Sequence, residues 1–179
     1  MISIRNGVFE TNSSSSHSVC MRTGKPHIDS DAIANDIKLR LDSDNKWNLS
    51  NERRDYGRAP FTILSTFTEK VLYYIANECD YGTTKQDYVD KMHPITKIIK
   101  EFYPEFAGFT LNEQETKDRD KDDNYWIGSV DEYINLAPTD EALRNFLTND
   151  DVFVVVDGDE YNIFSDMRYF GMINGKELD

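Results

Sequence analysis

Val152-Phe153-Val154-Val155-Val156-Asp157-Gly158 decides how this chain folds. Its first five residues form a continuous apolar run rich in β-branched side chains, which are stiff at χ1 and pack well on a pleated surface, so the run reads as a β-strand. Asp157-Gly158 is a favoured hairpin dipeptide, and Tyr161, Ile163 and Phe164 supply an answering strand. At the other end of the chain, Ile2, Ile4 and Val8 share one strand parity, and Ser18-Val19-Cys20-Met21-Arg22 follows as a second strand. Residues 1–24 thus read as a β-hairpin with a long Ser-rich tip. Strands at both chain ends with helices between them predict an α+β fold, a mostly antiparallel sheet formed by the N-terminal and C-terminal strands and packed against central helices.

The middle, residues 30–104, reads as helical. Ser30 is placed to N-cap a helix over residues 30–41, in which Ile33, Ile37 and Leu41 recur on one face. Residues 42–58 are polar apart from Trp47, Leu49 and Tyr56, and read as a surface loop. Pro60 suits the first turn of a long helix, the central core helix, whose apolar face contains Ile63, Leu64, Phe67, Val71, Leu72, Tyr74 and Ile75. Tyr81-Gly82 stops it. Thr83 and Gln86 then form a capping-box pattern for a short helix through Met92, and Pro94 starts another that carries Ile95, Ile98, Ile99 and Phe102 and ends at Pro104.

Residues 107–179 form an acidic α/β part, with a short strand at Phe109-Thr110-Leu111 and a charged loop from Glu113 to Asp123. Ser129 and Glu132 offer another capping box, Pro138-Thr139 breaks or restarts the helix, and Ala142, Leu143, Phe146 and Leu147 give its inward face. After Asp166 the residues Met167, Tyr169, Phe170, Met172 and Ile173 are apolar enough to dock on the body. No repeat or linker divides residues 1–179, which read as a single domain.

Charge is unevenly placed along the chain. The net charge of −13 resolves into +1 over residues 1–75 and −14 over residues 76–179. A field of that sign repels nucleic-acid phosphates and attracts basic surfaces, notably the grooves of nucleic-acid-binding proteins; solubility alone is the plainer reading. The two cysteines, Cys20 and Cys79, form no C-x-x-C pair, and His17, His27 and His93 stand apart, so neither a metal nor another cofactor is expected. With no apolar run long enough for a bilayer and no signal-peptide core, a cytoplasmic protein without a membrane partner is expected.

Glu10-Thr11-Asn12-Ser13-Ser14-Ser15-Ser16-His17 is the densest block of polar chemistry in the chain. Short hydroxyl side chains bond to their own backbone and weaken helix and sheet alike, so core packing does not account for the block. A Ser nucleophile activated by His17, with Glu10 orienting the ring, lacks a G-x-S-x-G elbow and is poorly supported. A phosphate or nucleotide cradle assisted by His17 or Arg22 lacks the glycines that close approach to a phosphate requires. Metal binding by Glu10, Asn12 and His17 offers one carboxylate, too few for a hard cation. The favoured reading is an ordered recognition loop without catalytic residues. Two further sets matter. Arg53, Arg54 and Arg58 interleave with Trp47 and Tyr56 as in nucleic-acid contacts, though Glu52 and Asp55 dilute the cluster; ordinary ion pairing on a loop is the favoured reading, and the three arginines are the candidate DNA contact. Asp118, Asp120, Asp122 and Asp123 alternate as in a calcium loop but lack its Gly and Glu, so they read as solvated charge or as an acidic strip facing a partner.

The segment Arg5-x-Gly7-x-Phe9-Glu10-Thr11-Asn12-Ser13-Ser14-Ser15-Ser16-His17-Ser18 resembles an N-terminal signature of bacteriophage and prophage proteins. It covers under a tenth of the chain and marks lineage rather than activity. Among small acidic phage-borne proteins, the chain resembles the anti-CRISPR inhibitors of Cas9 from gut bacterial mobile elements. That resemblance implies a cytoplasmic protein of the bacterial host cell, monomer or dimer, that evades host defence by binding Cas9 or another nucleic-acid-binding effector, whose arginines and positive channels an acidic face can occupy. Two rival expectations are an enzyme or binding protein for a nucleotide or phosphorylated ligand using the Ser-rich loop, and a phage structural or assembly protein.

Overall fold

The computed structural model describes residues 16–21, 26–52, 54–56, 62–79, 85–111, 128–129 and 136–157. The fold is α+β. Its main sheet has three strands in the order β1 (Ser16–Met21), β7 (Val152–Asp157), β4 (Thr62–Leu64), with both pairings antiparallel. The apolar run that opened the sequence is therefore the middle strand. Val152, Val154 and Val156 are buried against the helices, while Phe153 and Val155, of the opposite parity, are half-buried. β1 pairs along all of β7, from Ser16 opposite Asp157 to Met21 opposite Val152, and β4 takes the other side of Val154 to Val156. The expected answering strand is Tyr161, Ile163 and Phe164. Those residues, residues 1–9 and the tail after Asp166 lie outside the described residues.

α1 (Ser30–Lys38) is capped by Asp29 rather than Ser30: its Oδ1 accepts the Ala32 N–H at 2.9 Å. The helix ends before Leu41 because the chain turns there. Leu39 is 83% exposed, and Leu41 forms a bridge to Trp47 across a turn in which the Asp42 carboxylate accepts from Asp44 and Lys46, both at 2.9 Å. Asn45 completes that turn at φ +57°, a left-handed conformation that Asn tolerates.

The described residues among 42–58, namely 42–52 and 54–56, are not a surface loop. They contain β2 (Lys46–Asn48), a 3₁₀ turn (Leu49–Asn51) and β3 (Arg54–Asp55), and the side chains of Trp47 and Leu49 are 0% exposed. β2 pairs in parallel with β5 (Gly108–Thr110), and β3 in parallel with β6 (Gly128–Ser129). Sparse apolar residues in a polar stretch can each be core when they are large and when short polar side chains close the local turns. Trp47 stacks at 5.6 Å on Phe109, and Phe109 meets Phe106 edge-on at 5.1 Å.

The central helix begins later than expected. Ile63 and Leu64 belong to β4, and α2 (Phe67–Glu78) starts after a complete capping box between Thr66 and Glu69. Glu69 Oε2 also accepts the Ser65 N–H at 3.0 Å, so the cap fixes the strand-to-helix corner. α2 buries Phe67, Val71, Leu72, Tyr73, Ile75 and Ala76 and is the core helix. α3 (Lys85–Phe102) is one helix, where two were expected, with Pro94 inside it. An internal proline costs roughly 3 kcal/mol, but Tyr88, Met92, Ile95, Ile98 and Ile99 are all buried on one face that runs through it. That burial outweighs the lost backbone bond. α4 (Asp140–Thr148) is capped by Thr139 and buries Leu143, Phe146 and Leu147 as expected. Ser129 sits in β6, and Glu132 lies outside the described residues.

Candidate functional site

Two polar features stand out among the described residues. The first lies under the junction of α4 and β7. Lys70 sits in α2 between apolar neighbours Phe67, Val71 and Tyr74, and folding that face inward carries its side chain to 1% exposure. Its Nζ donates to the carbonyl oxygens of Asn149 at 2.9 Å and Val152 at 3.2 Å. Asn149 ends α4 and Val152 begins β7, so the cation bridges the carbonyls on either side of the helix-to-strand turn, the first of which also accepts the Val152 N–H at 3.0 Å. Burial lowers the Lys70 pKa from 10.5 to about 8, against the opposing pull of Asp150, Asp36 and Glu69.

The surrounding bonds tie three segments together. The Asp36 carboxylate accepts from Thr68 N at 2.7 Å and Thr68 Oγ1 at 2.9 Å, which locks α1 to α2. His27 N donates to Asn149 Oδ1 at 3.3 Å, Asp150 N donates to the His27 carbonyl at 2.9 Å, and His27 Nδ1 lies 2.9 Å from Asp150 Oδ2. An amine of lowered pKa is the raw material of a nucleophilic lysine. Here the ammonium is enclosed and engaged by two carbonyls, so its chemistry is that of a buried tie.

The second feature is a groove of about 260 Å³ between α3 and α4. Pro94 and Ile98 give it an apolar floor, and Lys97, Glu101, Asp140, Glu141 and Arg144 give it a charged rim. Arg144 Nε donates to Glu101 Oε2 at 2.8 Å across the helices. Next to α4, the half-buried Tyr74 phenol is pushed up to about 12 by burial first, then by Glu78, Cys79 and Asp140.

The residues singled out from sequence are not among the described groups of either feature. Glu10 to Ser15, Arg53, Arg58, Asp118, Asp120, Asp122 and Asp123 lie outside the described residues. Ser16 and His17 belong to strand β1, not to a loop tip. Position 17 pairs opposite Val156, while positions 16 and 18 pair opposite Asp157 and Val155 and have the other parity. Arg54 lies in β3 opposite Gly128, just beyond the acidic run in sequence, and β5 fixes the chain before that run beside β2.

Lys70 and its partners escaped the sequence reading. The available signal was a lysine flanked at i−3, i+1 and i+4 by apolar residues of a core helix. Among the described residues there is no group of three or more His, Cys, Asp or Glu able to hold a metal ion, and no helix long and apolar enough to cross a membrane. No protein-family model matches the chain, and no curated protein or solved structure matches it.

Proposed function

We propose that this chain acts by binding: a protein of a phage or mobile element that inhibits a host nucleic-acid-directed defence effector, with Cas9 as the target. The observation that carries the reading is the placement of charge, +1 over residues 1–75 and −14 over residues 76–179. In the described part of that second half, Asp90, Glu101, Glu105, Asp140, Glu141 and Asp150 are exposed, so the acids contribute to the surface field. Such a field competes with phosphates for the positive channels in which Cas9 holds its guide and target, and it speeds encounter with them. The resemblance of residues 5–18 to phage and prophage proteins supports the same lineage. On this reading the chain works in the cytoplasm of the bacterial host, and Arg53, Arg54 and Arg58 add a DNA contact to the complex.

The test is binding of the purified chain to Cas9 loaded with guide RNA, alongside a DNA-cleavage assay. A complex that weakens as salt rises, with target DNA protected, is expected. Absence of both binding at low ionic strength and protection would refute the proposal. Charge reversal at Arg53, Arg54 and Arg58 should lower DNA retention by the complex; unchanged retention removes the DNA contact.

A further inference from the structure

The groove between α3 and α4 combines features that net acidity alone does not produce. Glu101 and Arg144 satisfy each other across it. Lys97, Asp140 and Glu141 have no hydrogen-bond or ion-pair partner for their side chains among the described residues. Its volume of about 260 Å³ falls below the roughly 300–1,000 Å³ of small-molecule sites and suits one long side chain. Two carboxylates against one amine remain once the Glu101–Arg144 pair is set aside, so the unsatisfied charge favours a cation. Asp140 and Glu141 also complement the positive end of the α4 dipole. That role explains the acids, but not the groove they rim, lined by the half-buried Pro94 and the edge of the buried Ile98.

We propose that this groove is the anchoring pocket for an arginine side chain on the basic surface of a protein partner. The inference rests on the binding reading above and adds where the contact is made and by what chemistry. A guanidinium is planar and weakly hydrated, so its flat face can lie on Pro94 and Ile98 while its N–H fork reaches carboxylates; the compact, strongly hydrated lysine ammonium does neither as well. Arginine is also among the residues that most often anchor protein interfaces.

The experiment is a titration of the full ¹⁵N-labelled chain, followed by NMR at low ionic strength, with hexa-arginine and hexa-lysine peptides. Shifts centred on Lys97, Ile98, Glu101 and Arg144, with the arginine peptide binding more tightly, are expected. Asp140→Asn combined with Glu141→Gln should weaken that binding about tenfold, and Lys97→Ala, which removes the competing cation, should tighten it. Shifts elsewhere, equal binding of the two peptides, or binding unchanged in the Asp140→Asn/Glu141→Gln variant would overturn the proposal. The two readings separate cleanly. Peptide capture in the groove without binding to guide-loaded Cas9 keeps the pocket and discards the target, whereas Cas9 binding untouched by the variant keeps the target and discards the pocket.

Discussion

Replacing Lys70 by methionine tests the tie beneath the α4–β7 junction through its pH dependence. The pKa falls from 10.5 to about 8 in the folded chain because burial penalises the charged form. Between those values the unfolded chain binds more protons than the folded one, so stability rises with pH through that window. The contribution is fully present above pH 10.5 and is lost as pH falls towards 8. The gap between 10.5 and about 8 corresponds to about 3 kcal/mol at about 1.4 kcal/mol per pKa unit, most of it gained between pH 7 and pH 10. Lys70→Met removes the buried charge but deprives the Asn149 and Val152 carbonyls of their ammonium donor. Each lost bond costs about 1–3 kcal/mol, so near pH 7 relief and loss largely offset each other. The difference between the two proteins is therefore expected to widen by about 2–3 kcal/mol from pH 7 to pH 10 in favour of the original chain. Urea unfolding at a series of pH values measures it, and ionisation of exposed lysines and tyrosines cancels in the comparison. A difference that stays constant across the range would refute the buried, proton-poor ammonium.

Other perturbations probe the remaining features. Trp47→Ala should cost about 3–5 kcal/mol in urea unfolding, as for a core aromatic, whereas a residue in a solvated loop would cost under about 0.5 kcal/mol. Thr66→Ala should lower stability by ~1 kcal/mol through loss of the capping box that starts α2; an unchanged urea midpoint would show that the corner is held by packing alone. Tyr74→Phe should remove a phenolate signal near pH 12 from an absorbance titration. Because the folded state favours the neutral phenol, stability from Tyr74 is present below pH 10 and lost as pH rises from 10 to about 12. If the missing phenol instead titrates near 10, Tyr74 does not feel the burial and negative field assigned to it.

The sequence made the outline of the fold legible because its strongest signals were local. The valine run, the periodic apolar faces of α1 and α4, and the Thr66 to Glu69 spacing each act over a few residues. Where tertiary contacts decide, the pattern misled. Ile63 and Leu64 fit the helical face of α2, yet they pair with Val155 and Val154 as a strand. Pro94 looked like a boundary, yet the buried stripe from Tyr88 to Ile99 carries the helix through it. Trp47 and Leu49 looked isolated because their partner, β5, lies far along the chain and pairs in parallel, which no local signal announces. The groove was illegible for a related reason: its two walls come from helices whose facing residues are separated in sequence, and only packing brings Glu101 to Arg144.

The order of the main sheet also sets the order in which it can form. Among the described residues β1 and β4 are its outer strands, and each bonds only to β7, the last of the described strands along the chain. As the polypeptide leaves the ribosome, these two strands emerge first, and the strand they both pair with, Val152–Asp157, follows them. The helices can gather early through near-neighbour contacts, whereas closing Ser16 onto Asp157 demands the largest loop in the described fold, an entropic cost that slows assembly. Until then the edges that β7 covers in the fold lack it, and strand edges left unpaired are where nascent chains aggregate or recruit chaperones. Truncation before Val152 should thus remove the whole sheet, not merely trim one end of it.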